Sequence, residues 1–195
     1  MENSKMNFDS LIKKVCLSGA KNAAVIPVEK IVLDTAFRDM CAANMCGVYG
    51  KCWMCPPDMG EIEDLMAQVR KYDFALVFQT VDTLEDSFDY EGMMEARKNI
   101  RNLAFKVRDD FKNKGVQNAL YLGAGGCGVC NVCEKVNNKP CPYPELAMSS
   151  LEAYGINVSQ LAKESGMKYI NGADTVTYFG AVLFNTDACG VLYDF

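Results

Sequence analysis

The chain has 195 residues, half of them hydrophobic and 23% charged, which is enough apolar material for one well-packed domain. It contains ten cysteines and no histidine. The lack of histidine excludes Ser-His-Asp and Cys-His catalytic sites, histidine-bound zinc or iron, and histidine-bound haem. Any metal must therefore bind to sulfur or oxygen, and any general acid or base must be a carboxylate, lysine, tyrosine or cysteine.

Composition also bears on the surroundings in which the protein works. Cysteines are about 5% of the residues, below the roughly 8–10% of disulfide scaffolds, and no signal peptide or apolar run of membrane-spanning length is seen. We therefore expect a cytoplasmic protein with no membrane partner, whose thiols serve metal or redox chemistry. The net charge of −5 further predicts that nucleic acid is not a partner.

Hydrophobic periodicity predicts one α/β domain over residues 1–195, with a small mixed sheet of about four strands and flanking helices. Two cysteine-rich loops, at 41–57 and 127–142, are expected to bind clusters. In chain order the predicted elements are a strand at 27–34, a helix at 62–72, a strand at 74–81, a helix at 90–114, a strand at 117–123, helices at 144–154 and 158–165, and a strand at 175–184. Asp58 and Glu61 match a capping box before the first of these helices.

The middle of the chain carries the clearest fold signal. The near-continuous apolar run at 74–81 predicts a central strand covered on both faces. A long amphipathic helix and a second strand at 117–123 follow it. Strand, helix and strand over this length predict a right-handed crossover with the two strands parallel.

The second cysteine-rich loop has regular spacing, Cys127-x₂-Cys130-x₂-Cys133-x₇-Cys141, and a proline follows the last cysteine. This resembles the bacterial ferredoxin run, although the last gap is longer, and the fourth cysteine of that run can serve a neighbouring cluster. Gly125, Gly126 and Gly128 would let the backbone wrap closely and direct N–H groups at sulfur. The spacing predicts a [4Fe–4S] cluster, with zinc as the alternative metal.

The first cysteine-rich loop holds Cys41, Cys46, Cys52 and Cys55, and it also ends in Cys-Pro. Its spacing is less regular, but four cysteines within fifteen residues favour a second cluster. Zinc is again the alternative, because C-x₄-C and C-x₂-C are acceptable zinc spacings. Exchange of Cys55 or Cys141 between the two clusters is a further arrangement open to this sequence.

Other residues near the two loops have ordinary alternatives. Trp53 is either a shield for a cluster or a core aromatic. Three lysines lie in or near the loops: Lys51, Lys135 and Lys139. We expect them to be solvated surface residues. The alternative is that they offset cluster charge or dock an acidic partner. Cys16 and Cys189 stand apart, and we expect both to be buried and to pack as small hydrophobes.

Three stretches together resemble a known family. They are CGVYGKCWMCPP, which begins at Cys46, the GGC-to-CPYPE stretch around the second loop, and SLEAYGINV, which begins at Ser150. The chain from about residue 28 to 184 is similar to the predicted metal-binding proteins of domain of unknown function 2284. The resemblance implies metal or iron–sulfur binding in prokaryotes, many of them anaerobes, and it implies no established reaction.

The resemblance also bears on one ligand. The family pattern usually has a small polar residue at the position of Cys52, which implies Cys41, Cys46 and Cys55 as the shared ligand set. Cys52 is then either a fourth ligand, which closes the first cluster, or a bystander, which leaves one iron open.

We therefore expect an iron–sulfur protein that binds two [4Fe–4S] clusters through these eight cysteines. Its expected function is electron transfer to an unidentified redox partner protein. One alternative is an enzyme or activator that uses an open-site cluster. Another is a zinc-stabilised binding module without redox chemistry.

Overall fold

The computed structural model describes residues 7–192, which form one five-stranded sheet with helices on both faces. The strands are β1 (Asn22–Pro27), β2 (Phe74–Thr83), β3 (Ala119–Gly123), β4 (Ser149–Ser150) and β5 (Thr175–Phe184). Their order across the sheet is β1-β2-β5-β3-β4. Only the pairing of β3 with β4 is parallel among these strands. The predicted mixed α/β fold is confirmed.

The helices are α1 (Asp9–Leu17), α2 (Ala36–Ala42), α3 (Ile62–Val69), α4 (Tyr90–Asn113), α5 (Val158–Glu164) and α6 (Cys189–Leu192). Short 3₁₀ turns lie at Val28–Lys30, Glu134–Asn137, Glu152–Tyr154 and Thr186–Ala188. Within residues 7–192, every helix is too short or too polar to cross a membrane.

Two hydrophobic clusters lie on opposite faces of the sheet, because successive side chains of a strand alternate between its faces. Leu76 and Phe78 of β2 pack with α1, α4 and α6 on one face. Ala75 and Val77 of β2 pack with α3 and α5 on the other face. All four side chains are fully buried, so β2 is an interior strand covered on both faces, as its apolar run predicts.

The strands β2 and β3 are parallel to one another, as predicted, but they are not neighbours. Each pairs antiparallel with β5, which lies between them. The carboxyl ends of β2 and β3 therefore point toward the same edge of the sheet, where α4 begins and the second cysteine-rich loop follows β3. Residues that follow β2 and residues that follow β3 therefore lie at the same edge of the sheet.

Two of the predicted elements are wrong. The strand lies at Asn22–Pro27 rather than at 27–34, and a 3₁₀ turn follows it. Val28 and Ile31 are both buried at a spacing of three residues, as suits a turn rather than a strand. The predicted helix at 144–154 is replaced by β4 and a 3₁₀ turn, because Ser149 and Ser150 pair with the end of β3.

The start of α3 also differs from its prediction. Glu61 is the N-cap residue, but its side chain makes no capping hydrogen bond. Asp58 instead forms an ion pair with Lys135 of the second cysteine-rich loop. Asp58, which suggested a capping box, therefore links the chain just before α3 to the second cysteine-rich loop.

Candidate metal centre

The two cysteine-rich loops pack against each other through several side chains. The Trp53 indole Nε1 donates a hydrogen bond to the Lys139 carbonyl at 2.9 Å. Lys135 lies over the Trp53 ring, with Nζ 4.2 Å from the ring centroid, while also pairing with Asp58. Lys135 is therefore not the solvated lysine that was expected. Trp53 is only partly buried, and its contacts hold the first loop against the second.

A third contact, between the first loop and the sheet, comes from β4, the strand after the second loop. Ser149 of β4 donates its hydroxyl hydrogen to the Met54 carbonyl at 3.0 Å, and Ser149 is buried. Met54 lies between two cysteines of the first loop. The short strand β4 thus holds the first loop against the carboxyl edge of the sheet.

Five cysteines line one small cavity between the loops. They are Cys52 of the first loop and all four of the second loop: Cys127, Cys130, Cys133 and Cys141. The cavity has a volume of about 30 Å³ and is also walled by Trp53. All four cysteines of the second loop line this cavity, and Cys52 lines it from outside that loop.

The other three cysteines of the first loop form a second neighbourhood. The Cys55 thiol donates a hydrogen bond to Cys52 and is partly shielded from water, and both effects raise its pKa, with smaller contributions from the charges of Cys46 and Cys41. Burial raises the pKa of Cys41, and the charge of Cys46 adds to this rise. Cys55 is buried, Cys41 partly buried and Cys46 exposed, so this group reaches the surface.

Cys52 joins the two groups. Its sulfur accepts hydrogen bonds from the Cys55 thiol and from the Cys133 thiol. The backbone N–H groups of Cys127 and Met54 also donate to it. The bond from Cys55 is the main cause that lowers the pKa of Cys52, against the opposing effect of burial.

Backbone donors also reach the second group. Burial raises the pKa of Cys127, and hydrogen bonds from the N–H groups of Met148 and Val129 to its sulfur partly offset this rise. Such bonds favour the thiolate, which is the form that binds metal. The N–H groups that reach the Cys127 sulfur are thus those of Met148 and Val129, and not those of the three glycines named in the sequence analysis.

The glycines have a different role, which involves two arginines of α4. Gly125 and Gly128 have φ of +67° and +64°, a conformation that favours glycine. A Cβ at Gly125 would lie 2.9 Å from Nε of Arg97, and one at Gly128 would collide with the guanidinium of Arg101. Arg97 Nη2 also donates to the Gly126 carbonyl at 3.1 Å. The missing side chains therefore make room for two cations beside the cysteines.

The sequence analysis did not connect Arg97 and Arg101 of α4 with the cysteines. One signal could have done so, since the two are four residues apart and share one helix face. It also missed Arg38 and Glu152, whose opposing charges act on the pKa of Cys41. Burial raises the pKa of Glu152 itself.

No disulfide bond joins the ten cysteines, which all lie within residues 7–192, and eight of them lie in the two groups just described. Of the remaining two, Cys189 is buried in the hydrophobic cluster on the α4 face, as expected, whereas Cys16 of α1 is only partly buried. As the side chains stand, no set of three or more Cys, Asp or Glu residues within 7–192 is arranged to hold one metal ion.

The donor set nevertheless fits a thiolate-bound metal in kind. Soft sulfur ligands select iron–sulfur clusters, zinc or copper(I), and hydrogen bonds reach the sulfurs of Cys52 and Cys127. Within residues 7–192, three or more of these sulfurs could share one metal only if their side chains were arranged differently. The residues present are thus suitable ligands in an arrangement that is not yet closed.

A mixed α/β sheet that carries clustered cysteines at one edge defines the chain as a cysteine-rich α/β protein. A family model described as predicted metal-binding protein (DUF2284) matches residues 24–184. The chain therefore belongs to the DUF2284 family. No match was found among curated proteins or among solved structures.

Proposed function

We propose that the protein binds two [4Fe–4S] clusters and transfers electrons to a redox partner protein in the cytoplasm. The observation that carries this proposal is the gathering of eight cysteines into two adjoining groups that meet at Cys52. Eight thiols are twice what one tetrahedral zinc site or one cubane requires. The lack of disulfide bonds among the cysteines of residues 7–192 suits a reducing compartment.

In this proposal Cys127, Cys130, Cys133 and Cys141 hold one cluster. Cys41, Cys46 and Cys55 hold the other, and Cys52 is its fourth ligand. Because Cys52 contacts both Cys55 and Cys133, the two clusters would be adjacent, which suits passage of an electron from one to the other. A bound [4Fe–4S] cluster supplies one-electron redox chemistry.

The surroundings of the two groups differ in ways that would separate their potentials. Hydrogen bonds to sulfur and solvent exposure both tune the potential of a cluster. The first group reaches the surface at Cys46, whereas the second is walled by Trp53 and flanked by Arg97 and Arg101. The exposed side at Cys46 is the natural place for exchange with a partner.

Anaerobic purification followed by assays of iron, zinc and acid-labile sulfide tests the proposal. Two clusters predict about eight iron and eight sulfide per chain. Reduction should then give two electron paramagnetic resonance signals with different midpoint potentials. A colourless protein with stoichiometric zinc and no sulfide would refute the proposal in favour of a zinc-stabilised binding module.

A second candidate function is an enzyme or activator with an open first cluster. The observation that favours it is the position of Cys52 on the wall of the second group's cavity. Iron content of Cys52→Ser, with Cys16→Ser as the control, separates the two. Iron lost only from Cys52→Ser supports a closed cluster and electron transfer. Iron retained in both variants supports three-thiolate ligation and the open site.

A further inference from the structure

A groove of about 450 Å³ runs between the first half of α4 and the two cysteine-rich loops. Its volume lies within the roughly 300–1,000 Å³ typical of small-molecule sites. Four of its lining residues are cysteines from the second group and its neighbour Cys52: Cys52, Cys127, Cys130 and Cys133. A ligand in this groove would therefore lie beside the candidate metal centre.

The groove is strongly basic. Its charged lining residues are all cations: Lys51, Arg97, Lys98 and Arg101. This arrangement runs against the overall charge of the chain, which has 25 acidic and 20 basic residues. A concave surface lined by one sign of charge focuses its field and attracts the opposite charge.

Two of these cations are available for a ligand. Within residues 7–192, neither Arg97 nor Arg101 forms a salt bridge with a carboxylate, while Lys98 pairs with Glu95 at 2.7 Å. Arg97 already donates one hydrogen bond to the Gly126 carbonyl, which orients its guanidinium. Guanidinium groups bind carboxylate and phosphate through paired hydrogen bonds.

The remaining walls of the groove are partly apolar. Met94 of α4 lies on the same helix face as the three α4 cations, and valines face it from the loops: Val48, Val132 and Val136. The exposed surface of Val132 and Val136 is large for valines, at 64% and 47%. An apolar wall beside paired guanidinium groups matches a ligand with an anionic head and an apolar body.

We infer that the groove binds a small organic anion, with its carboxylate or phosphate on Arg97 and Arg101 and its apolar part against Met94 and the valines. This goes beyond the proposed electron transfer, because it adds a ligand site next to the second group of cysteines. It does not depend on which metal those cysteines hold.

Calorimetric titration of the anaerobically purified full chain tests the inference. The ligands are phenyl phosphate and benzoate, with benzyl alcohol as the neutral control. At least one anion should bind with a Kd below about 10 mM, and binding should weaken as salt rises. The better of the two identifies the head group. Equal binding of benzyl alcohol would overturn the inference.

Variants of α4 locate the site. Arg101→Gln should weaken the better anion roughly tenfold or more, because it removes a charged hydrogen bond. Lys106→Gln, on an exposed part of α4 away from the groove, removes the same charge and should change the Kd less than about twofold. If Arg101→Gln loses its metal, Lys98→Glu at an exposed position supplies the same test, and it should weaken binding as well.

Failure of the anion-binding inference can be distinguished from failure of the proposed electron-transfer function. Equal affinity in Arg101→Gln, Lys98→Glu and Lys106→Gln would overturn the inference, whatever the metal content. Binding of hexaglutamate when neither small anion binds would also overturn it, in favour of an acidic protein surface as the occupant. Absence of iron and sulfide with anion binding intact would refute the proposed function alone.

Discussion

Replacing Gly128 by alanine tests whether the shape of the second cysteine-rich loop supports metal binding. Gly128 lies between Cys127 and Cys130, and its φ is +64°. An alanine in this left-handed conformation costs about 1–2 kcal/mol. The added Cβ would also meet the guanidinium of Arg101, which is the end of a flexible side chain and can move aside. The backbone cost is therefore the main effect.

That cost should appear in metal affinity. The loop around Gly128 has no helix or strand to hold it, so an alanine there relaxes the backbone and displaces the flanking cysteines. A loss of about 1–2 kcal/mol corresponds to roughly 5- to 30-fold weaker binding. We expect Gly128→Ala to release its metal at a chelator concentration lower than wild type by that factor.

Gly166→Ala is the matched control. Gly166 follows α5 with φ of +69°, and a Cβ there would meet nothing within 4 Å. The same backbone cost should lower the free energy of unfolding by about 1–2 kcal/mol, with metal retention unchanged. Both quantities follow from urea unfolding and chelator titration of each variant. Wild-type metal retention in Gly128→Ala would refute the reasoning.

Two further predictions concern packing and the joining of the loops. Gly180→Ala places a Cβ 2.6 Å from the buried ring of Phe78, so it should lower the free energy of unfolding by about 1–3 kcal/mol. Gly190 is exposed, and a Cβ there would have no neighbour within 4 Å, so Gly190→Ala should not lower the free energy of unfolding. Equal urea midpoints for these two variants would contradict this packing. Trp53→Phe removes the hydrogen bond to the Lys139 carbonyl and should cost about 0.5–1.5 kcal/mol and speed metal release to a chelator. An unchanged release rate would mean that this bond does not hold the loops together.

The elements with long, regular patterns were predictable from the sequence. The doubly buried strand β2 and the 24-residue helix α4 follow from local hydrophobic spacing, which depends on neighbours along the chain. The predictions at 27–34 and 144–154 were wrong because partners far along the chain decide those stretches. Ser149 and Ser150 form a strand only because β3 is available to pair with them.

The same distinction between local sequence and distant contacts applies to the candidate metal centre. The sequence by itself determined that ten thiols and no imidazole are available, and that eight of the thiols lie in two short loops. Only the tertiary structure decided that β5 lies between β2 and β3, that Cys52 contacts both groups, and that two arginines of α4 face the glycines. Spacing along a chain restricts which ligands can converge within a loop, whereas contacts between loops depend on packing across the whole sheet.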